Sequence, residues 1–309
     1  ATTGSMRGGG IRWWIAGPMR RLPARRNATR TCLNETSGHM KKLSISSANA
    51  EFQIITSLKQ NRVKRSKLGE IFIEGIESIK QAQRAGIVFT RIITSDLKSL
   101  SDWARNFIGA NRDAQVIEMA SSLYGDLCDR EEPSEIVVTA RVKSPNFWDV
   151  SLPARPCVLI FDRPSDHGNF GTIIRSANSF NVDAVFVIGH GIDIFDPKVI
   201  RASLGSIFHS TIAAVPSMEE LRQWVHVQKA ASGLQLVGSD STGEVSLQTH
   251  RLERPIALVL GNEAKGMSVA LKELCDYVVS IPISGNMNSL NVACAGSIML
   301  WEVYRNDRP

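Results

Sequence analysis

Three polar segments, each placed after a hydrophobic run, carry the residues of this chain that could do chemistry. In the first, Asn169 can cap a helix, and the free backbone N–H groups at a helix start can bind an anion. Arg175 lies four residues beyond Gly171, about one helical turn, and can point back toward the same end. The first segment therefore predicts a helix start that binds an anion.

The second and third segments repeat the order of strand, polar loop and helix. The second, 261–268, contributes the carboxylate of Glu263, and the third, 284–292, contributes Ser289 and Asn291 beside an apolar helix. Each segment has an ordinary structural alternative: a capped helix with a surface arginine, a strand–helix loop, or a pair of capping residues. Asn291 within a first helical turn would be a poor helix former, which favours a site role for the third segment.

Common catalytic and nucleotide-binding fingerprints are missing from the sequence. Ile194 stands where a dinucleotide-binding loop needs its third glycine, and Met267 stands where a P-loop needs lysine. The sequence contains neither G-x-S-x-G nor H-E-x-x-H, so serine hydrolase and zinc peptidase interpretations have no support. The five cysteines are widely spaced and form no C-x-x-C pair, so neither a disulfide framework nor a zinc ribbon is predicted.

The elements that position these segments alternate between strands and helices. Apolar runs in the second half predict strands that are buried on both faces, as in a parallel sheet covered by helices. These runs are 158–162, 184–188, 234–239, 256–260 and 277–281. Helices are predicted between them at 172–180, 197–203, 218–231, 269–275 and 290–304.

The first half predicts shorter elements in the same alternation. Its strands are predicted at 71–73, 90–94, 114–118 and 136–142, and its helices at 52–58, 76–85 and 100–108. The fold class is therefore α/β, with a smaller domain at 50–145, a second domain at 146–309 and a linker at about 143–155.

The formal net charge of +6 on this chain of 309 residues comes from its N-terminal segment. Residues 1–39 hold seven arginines and one acid, and the other 270 residues carry 29 basic and 29 acidic groups. Overall basicity is therefore no argument for nucleic-acid binding. Residues 1–49 are set apart as a leader. Its composition is that of a mitochondrial presequence, but Gly38-His39-Met40 favours sequence added during cloning.

The scattered cysteines favour a reducing, cytoplasmic location. A mitochondrial location would follow only if the leader were a genuine presequence. No apolar run is long enough to predict a transmembrane helix.

The three segments resemble the three motifs of the SpoU (TrmH-type) branch of the SPOUT methyltransferases. They read N-x-G-x-x-x-R, then L-V-L-G-N-E-x-x-G-M-S, then I-P-I-x-G-x-x-x-S-L-N-V. The stretch 196–206 resembles the family between its first two motifs. The resemblance extends from about residue 50 to residue 305, and the type it matches within the family is the avilamycin-resistance ribosomal RNA ribose methyltransferase.

This resemblance implies methyl transfer from S-adenosylmethionine to a ribose 2′-hydroxyl in RNA. Ribosomal RNA of the 23S type is the expected substrate, and transfer RNA is the alternative. The implied fold is an α/β sheet threaded into a trefoil knot, which generic topology rules rank low, behind an N-terminal RNA substrate-binding domain. A homodimer with its active site near the dimer interface is also implied, whereas a metal or a membrane is not.

The resemblance assigns site residues by their positions in the motifs. The cofactor would be held by Leu260, Gly261, Ile281, Ile283 and Leu290. The residues implied in catalysis are Arg175, Asn169, Glu263, Ser289 and Asn291.

Each implied catalytic residue has an expected role. Arg175 matches the arginine proposed in the family to activate the 2′-hydroxyl. Because a guanidinium stays protonated in proteins, we expect it to orient the hydroxyl or a phosphate and to stabilise developing alkoxide charge. Asn169 would position Arg175 or the ribose, and Glu263 would hold a loop or a basic partner. Ser289 and Asn291 would form hydrogen bonds near the reacting groups.

A local basic cluster in the first domain is the predicted contact with RNA phosphates. The residues predicted to bind RNA are Arg62, Lys64, Arg65 and Lys67, with Arg201 in the second domain. A solvated helix end is the alternative for the cluster. The family often has glycine where Ala264 stands and serine where Ala293 stands, which bears on substrate details. Two rival functions are a non-catalytic RNA-binding assembly factor of the same fold and an unrelated small-molecule enzyme.

Overall fold

A mixed five-stranded sheet forms the first half of the chain in the computed structural model, which describes residues 41–129 and 133–307. Its elements are β1 (Lys42–Ile45), α1 (Ala50–Gln60), α2 (Arg62–Leu68), β2 (Glu70–Glu74), α3 (Ile76–Arg84), β3 (Phe89–Thr94), α4 (Asp102–Ala110), β4 (Gln115–Met119), α5 (Ser121–Leu127) and β5 (Val137–Arg141). The strand order is β1-β4-β3-β5-β2, and β5 runs antiparallel to both of its neighbours.

A seven-stranded sheet forms the second half, and all its pairings are parallel. Its elements are β6 (Cys157–Asp162), α6 (His167–Ser179), β7 (Ala184–Ile188), α7 (Pro197–Ala202), β8 (Ile212–Val215), α8 (Met218–Ser232), β9 (Gln235–Ser239), β10 (Val245–Ser246), β11 (Ile256–Leu260), α9 (Val269–Leu274), β12 (Tyr277–Ser280) and α10 (Val292–Asn306). The order is β10-β12-β9-β11-β6-β7-β8. The predicted α/β class with a parallel sheet is confirmed.

Both faces of the parallel sheet are buried, as its apolar strands require. Alternate residues, such as Leu159 and Phe161 of β6, pack with α6, α7 and α10 on one face. The residues between them, such as Val158 and Ile160, pack with α8 and α9 on the other. No helix in the described part of the chain is both long and apolar enough to cross a membrane.

The strand order takes late parts of the chain into the interior of the sheet. β11 pairs with β6 and β9, and β12 pairs with β9 and β10, although each follows both of its neighbours in the sequence. Because generic topology rules do not favour such insertions, sequence periodicity could not indicate this order. The trefoil knot itself stays a prediction.

The observed elements differ from the predicted ones mainly at short strands and helix starts. The sequence patterns missed β1, α2, α5, β8 and β10, all of which are seven residues or shorter. β1 falls inside the predicted leader 1–49, yet it pairs in parallel with β4 at the edge of the first sheet. Residues 1–40 lie outside the described part of the chain. α6 begins at His167 rather than at 172, since Asp166 caps it by accepting a hydrogen bond from the Asn169 backbone N–H.

The predicted linker at 143–155 packs closely against the second sheet. Phe147 begins a short 3₁₀ turn and is buried. Its ring lies 4.8 Å from that of Phe186 on β7 and 6.0 Å from that of Trp224 on α8, measured between centroids. Burial of an aromatic side chain therefore anchors the segment between the two sheets.

Arg65 connects the two halves of the chain instead of facing solvent. Its side chain is 4% exposed, and it donates to Asp193 (2.7 Å) and Asp196 (3.0 Å) in the second half. It also donates to the carbonyl oxygens of Leu58 and Lys59 at the end of α1. The prediction that Arg65 contacts RNA is wrong for this arrangement, because its donors already have partners.

We expect Arg65→Ala to lower the free energy of unfolding by about 3 kcal/mol, since it leaves the partly buried carboxylates of Asp193 and Asp196 without their partner. The matched control is Arg105→Ala, which removes a surface ion pair to Asp102. That control should cost less than about 1 kcal/mol. Urea denaturation of both variants measures the difference, and equal small losses would show that the junction does not depend on Arg65.

Candidate functional site

A cleft of about 300 Å³ lies at the carboxyl ends of β9, β11 and β12, next to the start of α10. Parallel strands end at the same edge of a sheet, which is where open α/β sheets bind their ligands. Its walls combine apolar side chains with backbone and side-chain polar groups. The lining residues are Ser239, Asp240, Ser241, Leu260, Gly261, Asn262, Glu263, Ala264, Gly266, Ile281, Ile283, Ser289, Leu290, Val292 and Ala295.

All five residues that the sequence predicts for cofactor binding line this cleft. They are Leu260, Gly261, Ile281, Ile283 and Leu290. Leu260 is fully buried at the base, whereas Ile283 and Leu290 are about 40% exposed at the rim. The structure thus brings together residues from two motifs that are about 20 residues apart in the sequence.

The loop after β11 closes on itself so tightly that only glycine fits at its start. Asn262 and Gly266 exchange two backbone hydrogen bonds of 3.0 and 2.9 Å. A Cβ atom on Gly261 would clash with the backbone of Gly266 and Met267. Gly266 itself has a φ of 65°, a left-handed backbone conformation that residues other than glycine rarely adopt. The loop therefore presents backbone close to the cleft.

Glu263 holds the second motif against the loop that precedes α6. Its carboxylate accepts hydrogen bonds from the Ser165 backbone N–H (3.0 Å), the Ser165 hydroxyl (2.7 Å) and the Asp166 backbone N–H (3.1 Å). The Asn262 side chain donates to the Arg163 carbonyl at 2.7 Å and strengthens the same junction. Glu263 was predicted to hold either a loop or a basic partner, and this geometry matches the first of these roles.

Asn291 joins the third motif to the first. Its side-chain oxygen accepts from the backbone N–H groups of Ala293 and Cys294, so it is the N-cap of α10 and does not lie within the first turn. Its side-chain nitrogen donates to Oδ1 of Asn169 at 2.8 Å. Asparagine is among the residues that helix N-caps favour, which explains an asparagine at this position.

Ser289 lines the cleft, and its hydroxyl forms no hydrogen bond with any residue of the described part of the chain. It is exposed. A hydroxyl can both donate and accept, so Ser289 is available to a bound molecule.

Asp240 is a lining residue that the sequence analysis missed. Its carboxylate pairs with Lys272 and accepts from the backbone N–H and the hydroxyl of Thr242. Partial burial opposes ionisation, but these hydrogen bonds outweigh it and hold the pKa of Asp240 below its ordinary value. The sequence did offer a signal for it: Asp240 is the first residue after β9, and the other segments were also recognised as polar residues that follow a strand.

Arg175 does not line this cleft. It lies six residues beyond Asn169 on α6, about 240° around the helix axis, and so faces another direction. It lines a second cleft, of about 370 Å³, between α3 and α6. The expectation that Arg175 points back to the Asn169 end of α6 therefore does not hold within one chain. No hydrogen bond or ion pair to its guanidinium is present among the described residues.

The remaining residues predicted to bind RNA are spread over the junction of the two halves. Arg62 is exposed and donates to the carbonyl of Gly191 at 3.0 Å, and Lys64 and Lys67 are also exposed. Arg201 lies 3.6 Å from a carboxylate oxygen of Glu74 and equally far from one of Asp129. Phosphate binding by these residues stays a prediction. In the part of the chain that the structure describes, no cluster of three or more His, Cys, Asp or Glu residues could hold a metal.

Two family profiles match the chain, one on each half. The profile of the SpoU rRNA Methylase family matches residues 156–301, and that of the SpoU L30e-like domain matches residues 49–138. The first match covers β6 to α10, which includes the whole cleft.

Similar proteins and structures cover most of the chain. A 23S rRNA (uridine(2479)-2′-O)-methyltransferase of Streptomyces viridochromogenes is 36% identical over 263 residues, which is 84% of this chain and 91% of that protein. The 23S rRNA (guanosine(2553)-2′-O)-methyltransferase RlmP of Bacillus subtilis is 28% identical and covers 77% of this chain and 90% of its own. The crystal structure of the SpoU methyltransferase AviRb from S. viridochromogenes with AdoMet has a TM-score of 0.78 and 35% identity, and covers 84% of this chain and 98% of its own.

We expect Asn291→Ala to destabilise the protein by about 1 kcal/mol, because it removes the cap of α10 and the hydrogen bond to Asn169. Asn291→Asp keeps an oxygen acceptor for the cap and loses only the donor to Asn169, so it should stay closer to the wild type. Thermal unfolding of the two variants compares them. Equal stabilities would contradict the capping role of Asn291.

Proposed function

The chain belongs to the SpoU rRNA methylase family, and from that premise we propose that it methylates a ribose 2′-hydroxyl of 23S-type ribosomal RNA. Methyl transfer from S-adenosylmethionine to RNA is the reaction of this family. The observation that carries the assignment to this chain is the cleft at the strand ends, which gathers all five residues implied in cofactor binding. Ribosomal RNA is favoured over transfer RNA by the two relatives that are named for 23S rRNA.

The lining of the cleft fits the chemistry of S-adenosylmethionine. Leu260, Ile281 and Leu290 offer apolar surface for the adenosine, and the loop after β11 offers backbone polar groups. Glu263 adds a carboxylate to the wall, and a negative charge there suits a cationic ligand. When bound, the cofactor supplies a methyl group on a positively charged sulfur, which is already reactive toward an oxygen nucleophile.

The residues of the chain mainly align the attacking hydroxyl with that methyl group. Ser289 has a hydroxyl available at the cleft. Two residues further along the chain, the side-chain amide of Asn291 is hydrogen-bonded to that of Asn169. Arg175, which stays protonated, would orient the hydroxyl or a neighbouring phosphate and stabilise the alkoxide charge that develops. An RNA phosphate held by Arg175 could accept the departing proton.

The active site would be completed by a second copy of the chain. Arg175 lines a different cleft from the one that Ser289 lines, so a single chain does not present these two residues together. Apolar side chains at the cofactor cleft are exposed, among them Ile283 and Leu290 in its lining and Met287 in the same loop. Exposed apolar surface next to a site is typical of a protein interface. A homodimer would cover it and bring Arg175 of one copy to the cleft of the other.

The cytoplasmic location expected from the cysteine pattern remains part of this proposal. It does not affect the chemistry of the site.

We expect wild-type protein to transfer labelled methyl from S-adenosylmethionine to ribose in unmodified ribosomal RNA, and Arg175→Ala to lower turnover by about 10²-fold or more. Cofactor affinity of the variant, measured by calorimetry, should stay within a few-fold because Arg175 lies outside the cofactor cleft. Nuclease digestion of the product shows whether the label is on ribose.

The matched control for that experiment is Arg222→Ala, which removes an exposed arginine on α8, the helix that covers the other face of the sheet. Retained turnover in Arg175→Ala would show that Arg175 does not have the proposed role of orienting the hydroxyl or a phosphate. Label in transfer RNA alone would identify transfer RNA, and not ribosomal RNA, as the substrate. Cofactor binding without label in any RNA or ribosomal particle would favour an assembly factor of the same fold.

Mixing two inactive variants tests the composite site. If Arg175→Ala and Asn291→Ala each abolish turnover, a mixed dimer still contains one intact site, formed by the cleft of one copy and Arg175 of the other. Random re-pairing of equal amounts should restore about a quarter of wild-type activity. No recovery, with mixed dimers demonstrated by differential tagging, would place all catalytic groups of a site in one chain.

A further inference from the structure

Leu204 is an apolar residue held in an unfavourable conformation at an exposed position. Its φ is 50°, in the left-handed region, and its side chain is 41% exposed. A residue with a branched side chain is seldom found in this conformation, which glycine and asparagine adopt far more easily. Stability alone therefore does not explain a leucine here.

The backbone around Leu204 is clamped between two helices, which explains why the conformation persists. On one side, a Cβ atom on Gly171 of α6 would lie 2.5 Å from the Cβ of Ala202 and 2.8 Å from the Ser203 nitrogen. On the other side, a Cβ atom on Gly205 would lie 2.8 Å from the Cβ of Gln81 on α3. Such close contacts leave the turn little freedom. Strained residues held by their surroundings in this way cluster at functional sites.

Leu204 lies in the cleft that contains Arg175, where the other lining side chains are polar. The remaining lining residues are Glu77, Gln81, Asn178, Ser179, Ser203, Ser206 and His209. His209 and Gln81 form a 3.0 Å hydrogen bond between the two halves of the chain. The cleft thus offers one cation without a partner among the described residues, one apolar contact and several groups that can donate or accept hydrogen bonds.

We propose that this cleft binds one unpaired nucleotide of the RNA substrate, with a phosphate or ribose on Arg175 and the base against Leu204. A nucleotide combines an anionic group, hydrogen-bonding edges and an apolar face, and single-stranded RNA is recognised mostly through unstacked bases. The only acidic side chain in this lining, Glu77, already accepts a hydrogen bond from Gln81. The inference rests on the proposed function and extends it, since it identifies Leu204 as the residue that contacts the base beside the methylated ribose.

The test compares Leu204→Asn with Leu204→Met. Asparagine suits the left-handed conformation and removes the apolar contact, whereas methionine keeps an apolar side chain of similar volume. The probes are an unmodified 23S ribosomal RNA transcript and unmodified large ribosomal subunits, with labelled S-adenosylmethionine. Leu204→Asn should lower kcat/KM for RNA about tenfold, mainly through KM. Its affinity for S-adenosylmethionine and its thermal stability should not fall.

Two controls separate a base contact from a general effect. Leu204→Met should keep kcat/KM within about twofold of the wild type. Val227→Asn, which changes an exposed apolar residue on α8, should leave every parameter unchanged.

Three outcomes would overturn the inference. Wild-type kcat/KM in Leu204→Asn would show that no base lies against this side chain. Dissociation of a dimer by Leu204→Asn, seen by sedimentation, would mean that Leu204 contacts a second copy. Absence of label from wild-type protein with both probes would overturn the proposed function itself, and this outcome is distinct because it does not depend on any Leu204 variant.

Discussion

Burial of both faces of the seven-stranded parallel sheet is the constraint on which the arrangement of this protein depends. Helices α6, α7 and α10 cover one face and α8 and α9 the other, so its apolar strands can carry polar groups only where they end. All pairings are parallel, and the carboxyl ends therefore meet at one edge. The loops after β9, β11 and β12 share that edge and form one cleft. Glu263 and Asn291 then fix the loops after β11 and β12 to the start of α6, through hydrogen bonds with Ser165 and Asn169.

The contact between the two halves of the chain determines a second feature, the position of Arg175. α3 of the first half packs against the turn after α7, and that turn packs against Gly171 of α6. Arg175 projects into the resulting space, away from the cleft at the strand ends. Arg65 also joins the two halves, through ion pairs with Asp193 and Asp196. The first half thus helps to build the surroundings of the residue that is proposed to meet the substrate.

Several polar residues have structural roles that their sequence patterns did not reveal. Asp166 caps α6, although Asn169 was the predicted cap, because the helix begins one turn earlier than its apolar pattern. Asn291 caps α10 from outside the helix. Arg65 belongs by sequence to a basic cluster, but its position on α2 directs it inward while Lys64 and Lys67 stay exposed. In each case the type of residue suggested a polar partner, and the partner itself lay far away in the chain or at an unpredicted helix end.

The sequence by itself determined the α/β class and most strands and helices, which follow from local periodicity that neighbouring residues in the chain suffice to define. Its resemblance to the family motifs, and not its periodicity, identified five of the residues that line the cleft. Only the tertiary structure decided the order of the strands, the inward direction of Arg65 and the separation of Arg175 from Asn169. It also decided the conformation of Leu204. These features depend on contacts between residues distant in sequence, such as Gly205 with Gln81, and close packing at those contacts selects one arrangement among the many that the same local patterns allow.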